Sequence, residues 1–251
     1  MIFDIEYASA RVRVLRSKLL KDNKKTEIKE AKTKEELIAD LDSTIYEQSF
    51  AAKDIDDIED SLENNLIETI EKVISFLPKR YADDFNRYTL RFDLRNLKIM
   101  IRGINAKMKP EDIEKDITRF GNIYTTTKDS MPKDLDRIEN RLEETPWHQA
   151  YKEGKANYKK TGLLLDLEHE LDKEYMSNLN KIQAEPVKNF TKTYKQLIDI
   201  KTLSRLKEDR AEKFLFLKQE KKETTKLYTD MVKDKEQLDL QILEKLESQA
   251  R

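Results

Sequence analysis

The chain has 251 residues, 39% of them charged, yet its formal net charge is −1 because 49 Lys and Arg nearly balance 50 Asp and Glu. Such charge density, with a mean hydropathy of −0.83, points towards disorder, but Leu, Ile, Val and Phe form roughly a quarter of the sequence, enough apolar material for a core. The absence of cysteine excludes disulfides and thiolate metal sites, and with 4 Gly and 5 Pro the turn punctuation that many short strands need is missing, so the expected fold is all-α.

Asp4 and Glu6 stand where a secretory signal would carry positive charge. The longest apolar runs, such as 163–165 and 214–217, fall far short of the roughly 20 residues that span a bilayer. Membrane association is therefore expected only through a partner or a surface. In residues 7–20, Ala8, Val12, Leu15 and Leu19 make a helical stripe, with Arg11, Arg13, Arg16 and Lys18 between them. Residues 21–32 are almost wholly polar and read as an exposed connection or a frayed turn. Thr33 and Glu36 have capping-box spacing ahead of a short helix through Leu37, Ile38 and Leu41.

Two phrases then recur. LDSTIYEQSF at 41–50 returns as LEETPWHQAY at 142–151, and Thr145 followed by Pro146 reads as an N-cap and a first helical residue. The apolar stripe Ile55, Ile58, Leu62, Leu66, Ile70 and Val73 returns as Leu164, Leu167, Leu171, Tyr175, Leu179 and Ile182, each at 3, 4, 4, 4, 3 spacing. Acids accompany both stripes, Glu59 and Glu63 in the first, Glu168 and Asp172 in the second. A proline, Pro78 or Pro186, closes each segment. YTLRFDLRNLKIMIRGI at 88–104 follows the first and has its counterpart in YKQLIDIKTLSRLKEDR at 194–210, which aligns Asp93 with Asp199. Three ordered landmarks at similar offsets indicate an internal duplication. Between the copies, Pro110 starts a short helix that Gly121 is expected to end, and Pro132 is expected to start another. The expected division is 1–109 for a first helical lobe, 110–210 for a second, and 211–251 for a charged helical tail.

Chemical sites are scarce. His148 and His169 are the two histidines, and neither a paired Glu-x-x-His arrangement nor His-Glu-x-x-His is present, so no metal site, cofactor or catalytic residue is assigned. Phosphate-binding glycine loops and G-x-S-x-G are also absent. Arg91, Arg95, Lys98 and Arg102 form a basic stripe at i, i+4, i+7 and i+11. It is open to three readings: a solvated face with local salt bridges, a partner-docking surface, or a phosphate site. The near-neutral chain weighs against nucleic acid. Arg91, Lys98 and Arg102 align with Leu197, Ser204 and Glu208 in the second copy, which makes them the preferred docking residues. Asp93, set between Phe92 and Leu94, and its echo Asp199 are expected to be structural clamps that need a partner to offset desolvation. Thr44, Thr145 and Trp147 are expected to hold helix junctions.

The ordered phrases resemble the C subunit of archaeal and bacterial A/V-type rotary ATPases, the counterpart of the d subunit of eukaryotic V-ATPases. The resemblance rests on Tyr7, Ala8, Ala10, Arg11, Arg13 and the Leu19-Leu20 pair; on Leu41, Thr44 and Tyr46; and on Phe92, Asp93, Asn96, Leu97, Lys98, Arg102 and Gly103. It continues through Leu142, Thr145 and Trp147 to Leu167, Glu168, Leu171, Asp172 and Tyr175. It implies lobes of a three-lobed, pseudo-symmetric repeat fold that acts as a non-catalytic cap. Such a cap sits between the central stalk and the proteolipid ring on the cytoplasmic face, transmitting torque for proton or sodium transport. A third copy does not appear after Arg210, where no Leu-x-x-Thr-x-aromatic junction occurs. The alternatives are a helical scaffold of the same ancestry outside a rotary motor, or an RNA- or phospholipid-binding helical module.

Overall fold

The computed structural model describes residues 2–41, 44–47, 55–206 and 211–217. The expected helical tail from 218 onward, and the Gln48 and Phe50 half of the first junction, lie outside the described residues. The fold is all-α, as its composition and periodicity imply. In chain order the helices are α1 (Ile2–Ser17), α2 (Asp22–Glu30), α3 (Lys34–Leu41), α4 (Ile55–Phe76), α5 (Lys79–Asn105), α6 (Pro110–Lys115), α7 (Gly121–Thr127), α8 (Leu135–Arg141), α9 (His148–Thr161), α10 (Leu164–Asn180) and α11 (Glu185–Arg205), followed by a 3₁₀ turn at Glu212–Phe214.

Packing gathers these elements into two compact units, Met1–Asn96 with Glu111–Lys128, and Leu97–Pro110 with Asp129 onward. The units are interleaved along the chain, and the border falls inside α5. In the first unit, α2, α3 and α4 meet around Leu41 and Ile58, with Leu20, Ile28, Leu37, Ile38, Tyr46 and Leu62 packed against them. The Thr33 hydroxyl accepts the Glu36 N–H at 3.1 Å, and the Glu36 carboxylate accepts the N–H of Lys32 at 2.8 Å. This is a capping box displaced by one residue on its return arm.

Four local expectations are corrected. Residues 22–30 form α2 rather than an open connection. They have no buried residue and are held by ion pairs of Lys25 with Asp22 and of Lys24 with Glu27 and Asp40, while Ile28 reaches the Leu41 cluster. Gly121 begins α7 instead of ending α6, with φ +91. Pro132 precedes α8 without starting it, because Asp134 is the N-cap, accepting the Arg137 N–H. Finally, Thr145 is not an N-cap. Its hydroxyl donates to the Leu142 carbonyl at 2.8 Å and accepts from the Trp147 N–H at 3.3 Å, a hydroxyl turn that delays α9 to His148.

The second unit is more fully closed. Leu167, Leu171 and Tyr175 on α10 are wholly buried and Leu179 and Ile182 nearly so, so that stripe is covered as the period predicts. Gly154 of α9 permits close approach to α10, since a Cβ there would lie 2.9 Å from the Leu167 Cα. The end of α5 supplies Leu97, Met100 and Ile101, all fully buried, to the same unit.

Candidate functional site

The first unit uses Asp93 as a docking point for the segment that follows α5. Asp93 is buried and its Oδ1 accepts the Ile123 N–H at 3.0 Å, one of the backbone donors that a helix start leaves without an intrahelical partner. The approach requires Gly121, where a Cβ would stand 2.2 Å from the same oxygen. One turn along α5, Asn96 pairs with Thr118 through both side-chain ends: its Nδ2 donates to the Thr118 carbonyl at 2.8 Å and its Oδ1 accepts the Thr118 N–H at 2.9 Å. Arg95 donates to Glu63 of α4 at 2.5 Å and to the Thr118 hydroxyl at 2.8 Å. An edge-on contact of Phe92 with Phe120, 5.3 Å between centroids, completes the seat.

The second unit repeats the device. Asp199 of α11 is fully buried and accepts the N–H groups of Phe216 and Leu217 at 2.8 and 2.9 Å. Ala211 and Leu215 pack with Leu203 of α11, and Phe214 is almost wholly buried. Desolvation raises the Asp199 carboxyl above its ordinary value of 3.8, against the opposing pull of those two donors and of Lys195. A carboxyl raised on folding favours the folded state most at low pH, and that contribution falls as pH climbs from the unfolded value through the raised one. Asp93→Ala and Asp199→Ala are each expected to cost about 1–3 kcal/mol at pH 7 by leaving buried donors unmet, measured by urea unfolding. The stability of Asp199→Asn relative to the parent should rise with pH across that window. A loss below about 0.5 kcal/mol for both alanine variants, the level of ordinary surface changes, would refute the docking role.

Lys98 and Arg102, two of the three preferred docking residues, are engaged within the second unit. The Lys98 ammonium lies 2.5 Å from Asp172 Oδ1, with side chains 18% and 4% exposed. Arg102 grips Glu168 with two parallel bonds, Nε to Oε1 at 2.6 Å and Nη2 to Oε2 at 2.7 Å. Cations four residues apart on α5 thus meet anions four apart on α10 in reversed order, a two-rung ladder between antiparallel helix segments. Burial raises the Asp172 carboxyl, while Lys98 pulls it down. The hydrogen bond to Glu168 raises Arg102. Arg91, the third of the set, donates to the Tyr88 hydroxyl at 2.8 Å and lies over the Tyr88 and Phe92 rings.

Thr44 makes the same turn as Thr145, donating to the Leu41 carbonyl at 2.6 Å and accepting the Tyr46 N–H at 3.2 Å. Trp147 is fully buried. His169 packs against Phe214 and Phe216 at 5.4 and 4.9 Å, and His148 lies at the start of α9. Sequence reasoning paired neither Glu168 nor Asp172 with the stripe; the available signal was the matching i, i+4 spacing of opposite charges. It also passed over Lys155, almost buried and paired with Asp136 and Glu139. Among the described residues no group of three or more acidic or histidine side chains could hold a metal ion, and no helix is long and apolar enough to cross a membrane.

Comparison with known families matches the ATP synthase (C/AC39) subunit family over residues 8–238. This chain belongs to that family. The match runs past residue 210, into the stretch that the internal repeats leave unassigned. Similar proteins are each named as the C subunit of an A-type ATP synthase. That of Methanothermobacter thermautotrophicus is 27% identical over 211 residues, covering 80% of this chain and 53% of the relative. That of Thermococcus kodakarensis is 30% identical over 151 residues, with 59% and 40% covered. That of Methanocaldococcus jannaschii is 26% identical over 191 residues, with 72% and 48% covered. The chain therefore spans about half the length of the curated relatives it matches.

Proposed function

We propose that this C/AC39-family chain is a non-catalytic subunit of a V/A-type ATPase that links the central stalk to the membrane proteolipid ring and contributes to ion transport by transmitting torque. The observation that carries this reading is the family match over residues 8–238. The chemistry of the chain is in keeping with it. The sequence holds no phosphate-binding glycine loop, and Lys98, Arg102 and Lys155 are engaged in ion pairs that tie one helix to another. A torque-bearing element needs such ties, and it needs no active site. Attachment to the membrane is then peripheral, on the cytoplasmic side, through stalk and ring subunits. The duplicated lobes, 1–109 and 110–210, are the repeat units of this cap. Arg91 remains the docking candidate of the basic stripe on this reading, with the ladder holding the end of α5 in place.

Gentle detergent extraction followed by affinity purification of the tagged native chain tests the proposal. Stalk and proteolipid subunits of a rotary ATPase are expected to copurify. Recovery of the chain alone, under conditions that keep such an ATPase whole, overturns it.

A further inference from the structure

The first unit leaves an apolar groove open along a stripe whose counterpart in the second unit is buried. The sequence stripe Ala8, Val12, Leu15 and Leu19 has the period of a core face, yet only Ala8 is buried; Val12 is 40% exposed and Leu19 52%. Across from them Leu66 of α4 is 42% exposed, although Tyr175, its counterpart in the duplicated stripe, is fully buried. Val12, Leu15, Leu19, Leu62 and Leu66 line one groove of about 460 Å³ along α1 and α4. Among the described residues, the charged side chains that line it are Arg16, Lys18 and Lys72, with no carboxylate. At its Leu19 end it shares Lys18, Leu19 and Ile45 with a second recess, of about 550 Å³, whose described lining adds Lys21 and Lys24 and again no carboxylate. Lys24 is already held by Glu27 and Asp40. In a chain with 50 acidic and 49 basic residues, lining of one sign among the described residues is a local departure.

We infer that this groove is the docking site for an amphipathic helix of a partner protein, with an apolar ridge seated between α1 and α4 and acidic residues flanking the ridge. The dimensions suit a helix. Leu62 to Thr69 of α4, both lining the groove, span about 10 Å at 1.5 Å per residue, which corresponds to two turns and to anchors at i, i+3 or i+4, and i+7. Leu66 and Val12 take the anchors. Arg16, Lys18 and Lys72 face the acids that flank them and exclude a basic helix by like-charge repulsion, which supplies the specificity. Lys18 and Lys21 at the Leu19 end set the direction, placing the more acidic end of the incoming helix there. This inference stands on the first unit alone and does not depend on the rotary-ATPase reading.

The test uses the full chain and a fluorescent synthetic peptide of about 20 residues, long enough to be helical, with leucines at i, i+3, i+4 and i+7 and glutamates on either side. Its twin carries lysine in place of every glutamate. Binding is followed by fluorescence anisotropy, and far-ultraviolet circular dichroism confirms that each variant stays folded. The glutamate peptide is expected to bind at least about tenfold more tightly than the lysine peptide. Leu66→Ser, at an exposed position, should weaken it about tenfold, and Lys72→Glu should narrow the preference between the peptides. Equal binding of the two peptides, binding of neither, or insensitivity to Leu66→Ser overturns the inference. So does a concentration-dependent dimer that Leu66→Ser abolishes, since the occupant would then be a second copy of the chain.

Discussion

Replacing Lys98 with alanine is expected to destabilise the protein by about 3–5 kcal/mol, because it strands the Asp172 carboxylate without its cation in a buried setting. Asp172 is 4% exposed and Lys98 18%, so solvent does little to screen the loss. The ladder itself is not thereby a source of net stability, since desolvating two ions consumes most of what their attraction returns. The double variant Lys98→Met/Asp172→Leu, which removes both charges and fills the space with apolar side chains, should accordingly recover most of the single-variant loss. Arg102→Ala should cost less than Lys98→Ala, because Arg102 is 47% exposed, although it too leaves behind an almost buried anion in Glu168. Urea unfolding of the three variants decides the matter: the midpoint should fall with an unchanged slope for the single variants. A loss below about 1 kcal/mol for Lys98→Ala, or a double variant worse than both singles, would refute the buried-pair account. Because Asp172 is raised by burial, acid should hurt the parent less at this site than at an ordinary paired carboxylate. Protonation removes a charge that is costly to bury.

The helical class was legible in the sequence because it depends on local spacing, whereas the roles of the recurring Asp and Thr residues were only marked as positions. Asp93 and Asp199 stand out as acids in apolar settings, and Thr44 and Thr145 mark junctions at fixed distance from a leucine. What the sequence left hidden is set by partners far along the chain. Lys98 and Arg102 look like a docking face until α10 is brought beside α5, which places Asp172 and Glu168, 74 and 66 residues away, against them. Gly121 carries the positive φ that normally marks a helix end; its use at a helix start follows from Asp93, which fills the space where a Cβ would stand. Residues 22–30 lack an apolar stripe because α2 is held by ion pairs and by one side chain, Ile28. Periodicity also says which residues share a face but not whether that face is covered. Tyr175 and Leu66 occupy equivalent places in two copies of one pattern, and only Tyr175 is buried.

Trp147→Ala is expected to cost about 3–5 kcal/mol, as large-to-small changes at fully buried aromatic positions do. Trp147 stands at the turn where α8 gives way to α9, and the residues around that turn leave little room for collapse. Ile138 and Leu142 are 1% exposed and Tyr151 not at all, while Gly154 keeps α9 pressed against the Leu167 backbone. Tyr151, whose N–H donates to the Trp147 carbonyl at 2.9 Å, carries a buried polar group of its own. The Tyr151 hydroxyl donates to the Leu135 carbonyl at 3.0 Å, and burial, followed by the charges of Glu139 and Asp136, pushes the phenol well above its usual range. Desolvation pulls Lys155 down, but the hydrogen bonds and charges of Asp136 and Glu139 together leave it raised. Trp147→Phe retains most of the apolar volume and should lose clearly less than the alanine variant. Since Trp147 is the chain's single tryptophan, the parent reports on the same site: its emission should be blue-shifted in the native state and move to the red in one step on unfolding. Emission already at the solvent-exposed position in native buffer, or an alanine variant within about 1 kcal/mol of the parent, would show that the α8–α9 junction does not hold the core of the second unit together.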